Sequence, residues 1–125
     1  MATDLENIEK LLARFKRQIP EGKQYQERLV EEFELILNLR FTDYFLQICD
    51  IIDLTTDIKH MTRGSAGSSL ICYLLGITDV DPIKWKIPVA RFMNPLRDDL
   101  PDVDIDFEHW RQGEVMNRIF KKWPG

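Results

Sequence analysis

The sequence has little of what marks several common classes of protein. It holds only two cysteines, Cys49 and Cys72, in apolar stretches without metal-ligand spacing, so we predict buried free thiols in a reducing cytoplasm. No apolar run reaches the ~18 residues needed to span a membrane. The acidic start "MATDLENIEK" lacks the basic and apolar regions of a secretory signal. We therefore expect a cytoplasmic protein with no membrane contact.

A surplus of positive charge is also missing. The chain carries 17 basic and 21 acidic residues, for a formal net charge of −4. Proteins that hold nucleic acid mainly through phosphate contacts are usually basic over their footprint. We therefore expect any binding of this chain alone to primer-template DNA to be weak. Its 125 residues, 44% of them hydrophobic, suffice for one globular domain with a core.

Hydrophobic periodicity predicts most of the helices. One helix is predicted over Thr3–Gln18, a break over Ile19–Gly22 and a second helix over about Gln24–Asn38. The apolar stretch that follows is ambiguous, because a strand and a buried helix look alike there, and we favour a strand over Tyr44–Cys49 leading into a helix. The small-residue loop Met61–Ser69 precedes an apolar helix, "LICYLLG", and an amphipathic helix closes the chain.

Three aspartates alternate in the segment "LPDVDIDFEH": Asp102, Asp104 and Asp106. This period predicts a strand with all three carboxylates on one face. Carboxylates at this spacing can converge on divalent cations, and their hard oxygen atoms suit Mg²⁺ or Mn²⁺. A solvated acidic edge strand is the alternative. A calcium loop of the EF-hand type is excluded, because Phe107 and Gly113 stand where that loop needs Gly and Glu.

The loop "TRGSAGSS" is a second candidate site. A Gly/Ser loop that opens a helix can present backbone N–H groups to a phosphate. Gly64 would allow close approach, Ser65 could donate its hydroxyl and Arg63 could pair with the phosphate. The loop has neither the Gly-Lys-Ser/Thr of a Walker A motif nor the dinucleotide GxGxxG. A turn that merely caps the helix is the alternative.

The two elements together are typical of nucleotidyl transfer, and three sequence blocks support this. "RGSAGSSLICYLLGITDVDPIKW", "ARFMNP" and "PDVDIDF", in this order and spacing, closely resemble the palm of the bacterial DNA polymerase III alpha subunit family, the C-family replicative polymerases. The resemblance covers about Tyr25 to Trp123 and corresponds to the N-terminal part of the palm. It implies an α+β fold: a partial nucleotidyltransferase palm akin to polymerase beta, with few strands packed with helices. Within a single domain, 1–22 would be an N-terminal helix and turn and 23–125 the palm-like segment.

The resemblance also implies roles for individual residues. Asp102 and Asp104 match the catalytic metal ligands, and Asp106 is a further candidate ligand. Nucleotide-binding roles would fall to Arg63, Gly64, Ser65 and Arg91. The family's third catalytic aspartate lies in a segment that this chain lacks.

Two functions are therefore open. The first is the catalytic segment of a DNA-directed DNA polymerase that uses dNTP and two Mg²⁺ or Mn²⁺ ions in DNA replication. It would be incomplete and would need another polymerase or replisome polypeptide, so the isolated chain should be inactive. The alternative is a non-catalytic protein derived from the palm, which binds or regulates a replisome partner or a nucleotide.

Overall fold

A computed structural model describes residues 4–58, 60–91, 103–107 and 109–123 of the chain. These residues form five α-helices, two strands and three 3₁₀ turns. The helices are α1 (Asp4–Ala13), α2 (Lys23–Leu39), α3 (Thr42–Leu54), α4 (Leu70–Leu74) and α5 (Gln112–Lys122). The strands are β1 (His60–Gly64) and β2 (Val103–Phe107), and the 3₁₀ turns are Ser65–Ser68, Val89–Arg91 and His109–Arg111.

The expected strand over Tyr44–Cys49 is wrong, because these residues lie within the helix α3. The buried side chains of α3 include Phe45, Ile48, Cys49 and Ile52. They recur at the i, i+3, i+4, i+7 spacing of one helical face. Tyr44 and Leu46, beside this face, are partly buried and also pack against the core, so the apolar stretch is broader than one narrow helical stripe.

The expected fold class, an α+β palm with few strands packed with helices, is also wrong. The described residues are mostly helical, and their β structure is limited to one antiparallel ribbon of β1 and β2. A two-stranded ribbon has no extended sheet face on which helices could form a layer. With Tyr44–Cys49 helical, the described residues form no palm sheet. The division of the chain at residue 22 stays a prediction.

The hydrophobic core lies between α1, α2, α3 and α4. Leu11 from α1, Ile36 from α2, Phe45 from α3 and Ile71 from α4 are all fully buried in one cluster. The side chain of Ile105, on β2, packs against the edge of the same cluster. The core therefore supports the strand that carries the aspartate motif.

An ion-pair cluster joins the residues just after α1 to α3. The Arg14 Nη1 atom donates to Asp50 Oδ1 at 2.6 Å, and its Nη2 atom donates to Asp53. Lys16 Nζ lies 3.1 Å from Asp53 Oδ1. Because all four side chains are partly exposed, this cluster contributes modestly to stability.

No helix in the described part of the chain is long and apolar enough to cross a membrane. The prediction of two buried free thiols is confirmed, since Cys49 is 4% and Cys72 0% exposed and neither forms a disulfide. Burial raises the pKa of the Cys49 thiol to about 11 and raises that of Cys72 further. Both side chains are therefore protonated thiols in the folded chain at neutral pH.

We expect neither cysteine to react with a water-soluble disulfide reagent at pH 8 while the chain is folded. The species that reacts is an exposed thiolate. A buried cysteine stays a protonated thiol, and the reagent cannot reach it. In urea the reaction should release two equivalents of the coloured thiol at once, matching the two cysteines of the chain. A rapid equivalent from the folded protein would contradict the burial of these residues.

Candidate functional site

The ribbon brings the two motifs of the sequence side by side. The strands β1 and β2 pair antiparallel, with Arg63 opposite Asp104 and Gly64 opposite Val103. Residues directly opposite in such a pair have Cα atoms about 4.5–5.5 Å apart. The Gly/Ser loop motif and the aspartate motif, separated by some forty residues in sequence, therefore meet at one end of the ribbon.

One face of the ribbon contacts the hydrophobic core. The His60 and Phe107 rings lie 6.1 Å apart across the strands, and Ile105 packs against the core. Side chains on a strand alternate between faces, so Ile105 and Phe107 share the face that meets the core. The register pairs position 104 with position 63 and position 106 with position 61.

The remaining predicted residues lie in neighbouring elements or outside the described part of the chain. Ser65 begins the first 3₁₀ turn, which contacts both strands of the ribbon. Arg91 ends the 3₁₀ turn Val89–Arg91, is exposed, and belongs to an element that contacts the first turn. Asp102 lies outside the described residues. The structure thus brings together the elements that carry Arg63, Gly64, Ser65, Arg91 and Asp104.

The chemistry of the aspartate motif fits a magnesium or manganese ion. Asp104 and Asp106 sit two positions apart on β2, about 6.5–7 Å along the strand at the usual rise, and both supply carboxylate oxygens. Asp102 precedes Asp104 by two residues and so continues the same alternation in the sequence. Among the side chains that the structure describes, no group of three His, Cys, Asp or Glu residues is clustered as a metal site requires. The aspartate strand remains the candidate.

A buried carboxylate, Glu32 of α2, holds the start of α4. Its oxygens accept hydrogen bonds from the Ser69 hydroxyl at 2.6 Å and from the backbone N–H groups of Leu70 at 2.7 Å and Ile71 at 3.2 Å. The pKa of Glu32 is raised above its usual value by burial, against the opposing effect of these hydrogen bonds and of the charge of Arg28. Every partner is a donor, which is the arrangement that a carboxylate needs.

Arg28, one turn before Glu32 on α2, completes the same network. Its Nε atom donates to Glu32 Oε2 at 2.9 Å. Its Nη2 atom donates to the Ser68 carbonyl at 2.6 Å and its Nη1 atom to the Ile87 carbonyl at 2.8 Å. Arg28 is 9% exposed and Glu32 is fully buried. One guanidinium therefore joins the end of the Ser65–Ser68 turn to the segment that leads into Arg91.

This network revises one part of the phosphate-site hypothesis. Glu32 occupies the N–H groups of Leu70 and Ile71, and the Ser69 hydroxyl accepts from Cys72 N at 3.1 Å. The first turn of α4 therefore does not offer these donors to a phosphate, and Ser69 acts as the helix cap that the alternative interpretation foresaw.

The other end of α4 is held by the segment that follows α1. The N–H groups of Lys16 and Arg17 donate to the Leu74 carbonyl at 2.7 and 3.2 Å. The Arg17 guanidinium donates to the carbonyls of Tyr73 at 2.5 Å and Thr78 at 2.7 Å. A helix of five residues leaves most of its own backbone groups unpaired, so these partners from outside the helix fix its position.

A second ion-pair cluster fixes the far end of the ribbon. Asp57, three residues before β1, accepts from Arg118 of α5 at 2.6 Å and from Arg111 at 3.2 Å. The hydrogen bond from Arg118 holds the pKa of Asp57 well below its usual range. Arg118 also donates to the Leu54 carbonyl at the end of α3, at 2.9 Å. This cluster connects the segment before β1 with the helix after β2.

Comparison with known proteins places the chain among bacterial DNA polymerase sequences. It is 44% identical over 102 residues to the DNA polymerase III subunit alpha of Staphylococcus aureus (strain MRSA252), a match covering 79% of this chain and 10% of that protein. It is 40% identical over 108 residues to the error-prone DNA polymerase of Bdellovibrio bacteriovorus, covering 83% of this chain and 10% of that protein. The chain thus spans about a tenth of the length of these relatives.

The sequence profile of the bacterial DNA polymerase III alpha NTPase domain matches residues 5–124. The chain belongs to this family. The resemblance seen in the three sequence blocks is therefore confirmed, and the match also includes most of α1.

Proposed function

We propose that the chain is the nucleotide- and metal-binding segment of a C-family DNA polymerase, acting in DNA replication in the cytoplasm. Asp102 and Asp104 would hold Mg²⁺ or Mn²⁺, with Asp106 as a further ligand. Arg63, Gly64, Ser65 and Arg91 would contact the triphosphate of an incoming dNTP. When bound, the metal would neutralise the triphosphate charge and lower the pKa of the attacking hydroxyl.

The observation that carries this proposal is the pairing of β1 with β2. It sets Arg63 opposite Asp104 and brings Gly64 to the same end of the ribbon. A site for a metal-bound triphosphate needs cationic and backbone donors beside hard oxygen ligands. Membership of a DNA polymerase family gives independent support, because the activity named for the relatives uses such a substrate.

The proposal predicts metal-dependent binding of dNTP. We expect calorimetric titration of dATP to give binding with Mg²⁺ or Mn²⁺ and none without it. The double variant Asp102→Asn/Asp104→Asn should lose this binding, because neutral amides cannot replace two anionic metal ligands. Circular dichroism should show that the variant is folded.

A matched control removes the same number of charges away from the ribbon. Glu9 on α1 and Glu34 on α2 are both exposed, and Glu9→Gln/Glu34→Gln should leave binding unchanged. Failure of the folded wild-type chain to bind dATP, or equal binding by the aspartate variant, would contradict the proposal. We also expect negligible primer extension by the chain alone, since it spans about a tenth of the length of the polymerases that it resembles.

The second candidate function is a non-catalytic protein that binds or regulates a replisome polypeptide. One observation favours it: α5 exposes large apolar side chains, with Met116 48% and Phe120 59% accessible. Exposed apolar patches often mark interaction sites. Capture of replication proteins that is equal with wild type and the aspartate variant, together with absent dATP binding, would support this function over the first.

A further inference from the structure

We propose that Arg28 and Glu32 are positioning residues that hold the two arms of the candidate nucleotide site in fixed relative positions. The first arm is the segment 65–71, which follows Gly64, and the second is the segment 87–91, which ends at Arg91. This inference rests on the function proposed above. It adds two residues of α2, a helix that carries none of the predicted site residues.

The geometry shows how one side chain reaches both arms. The Arg28 guanidinium donates to the Ser68 carbonyl at 2.6 Å and to the Ile87 carbonyl at 2.8 Å. Its third contact, to Glu32 Oε2 at 2.9 Å, fixes the plane of the guanidinium. The planar fork of arginine provides donors in a fixed arrangement, which an ammonium group does not. The two carbonyls are therefore held at a set separation.

Glu32 fixes the first arm from the other side. Its two oxygens bind the Ser69 hydroxyl and the N–H groups of Leu70 and Ile71. The Ser69 hydroxyl in turn accepts from the N–H of Cys72. Together with the contact of Arg28 to Ser68, these bonds tie the four consecutive residues 68–71 to α2 and fix the start of α4.

The energetics suit positioning better than stability. A buried ion pair loses much of its Coulomb energy to desolvation, and an apolar pair of similar volume often stabilises a fold equally well. What an apolar pair cannot do is donate to two carbonyls and accept from two N–H groups. The specific contribution of Arg28 and Glu32 is therefore the geometry of the two arms.

Hydrogen exchange of the backbone amides tests this without any nucleotide. In Glu32→Gln, an isosteric change, we expect exchange in the segment 65–71 to accelerate about tenfold or more, because the acceptors of the Leu70 and Ile71 amides are weakened. In Arg28→Lys, which keeps the charge beside Glu32, exchange should rise in both 65–71 and 87–91. The helix α3 should be unaffected in both variants.

A control variant separates positioning from general destabilisation. Arg14→Met removes the ion pairs to Asp50 and Asp53, which join the end of α1 to α3 and include no residue of the two arms. It should raise exchange in those helices and leave 65–71 and 87–91 unchanged. Unchanged exchange in the two arms of the Arg28→Lys and Glu32→Gln variants, or an equal rise along the whole chain, would overturn the proposal.

Affinity for dATP with Mn²⁺ gives the functional readout. Both α2 variants should bind about tenfold more weakly than wild type, and Arg14→Met should bind like wild type. Wild-type affinity in the α2 variants would overturn the positioning role. Absence of binding by wild type would instead count against the proposed function, and the exchange pattern would still decide whether Arg28 and Glu32 hold the two arms.

Discussion

Replacing Arg28 by alanine is expected to lower the free energy of unfolding by about 3–5 kcal/mol. The change leaves the Glu32 carboxylate fully buried with no cation beside it. It also removes the donors to the carbonyls of Ser68 and Ile87. Urea denaturation followed by circular dichroism would measure the loss, provided that fluorescence gives the same transition.

The same helix offers a control with the same spacing. Lys23 and Glu27 form an i, i+4 pair at 3.7 Å with side chains 88% and 65% exposed. Lys23→Ala should change the free energy of unfolding by no more than about 0.5 kcal/mol, because water screens an exposed pair. Similar losses in the two alanine variants would show that burial of the Arg28 pair has no special energetic consequence.

A double variant would identify the source of the loss. Arg28→Met/Glu32→Leu removes both charges and leaves apolar side chains of similar length. We expect it to be more stable than Arg28→Ala, because no uncompensated charge stays buried. Arg28→Met alone keeps the side-chain volume but leaves the Glu32 charge buried, so it should be less stable than the double variant. Equal stability of Arg28→Met and the double variant would show that Arg28→Ala loses stability only through missing packing.

The sequence could have predicted more of the helical core than it did. Phe45, Ile48, Cys49 and Ile52 follow helical spacing, and this pattern extends through the 13 residues of α3. A strand rarely runs so long without a turn residue. Nearly continuous apolarity over Tyr44–Leu54 hides this period, and it made a strand over Tyr44–Cys49 as plausible as a buried helix.

Arg28 and Glu32 show why a buried polar network is difficult to predict from hydrophobic periodicity. Their positions continue the i, i+4 series that ends at the buried Ile36, so they lie on the buried face of α2. Charged residues at these positions ordinarily indicate the solvent side of a helix. Their burial depends on Ser68, Ile87 and the start of α4, which are distant in sequence.

The sequence predicts one of the two strands of the ribbon. Strict alternation from Asp102 to Phe107 predicts a strand, and β2 begins at Val103. Its partner β1 shows no alternation of apolar and polar residues, and all of it but His60 falls within the loop predicted over Met61–Ser69. Pairing across some forty residues is decided by tertiary contacts, here the packing of Ile105 on the core and the ring contact of His60 with Phe107.

Truncating Phe45 to alanine is expected to lower the free energy of unfolding by about 3–5 kcal/mol. Phe45 is fully buried in the cluster that joins α1, α2, α3 and α4. The loss combines the transfer free energy of the ring with the cost of a cavity that rigid helices cannot fill. Urea denaturation would measure this loss of unfolding free energy. The dependence of that free energy on urea concentration should be the same as in wild type, which shows that the unfolded state is unaltered.

Two further truncations make this prediction a test of the fold as well as of stability. Phe120→Ala is the same chemical change at a side chain 59% exposed, and it should cost less than about 1 kcal/mol. Ile48→Ala should cost about 2–5 kcal/mol, because Ile48 shares the buried helical face of Phe45. In a strand, positions 45 and 48 would point to opposite faces. A large loss of unfolding free energy at both positions is therefore expected only for a helix. A large loss at only one of them would instead support a strand over Tyr44–Cys49.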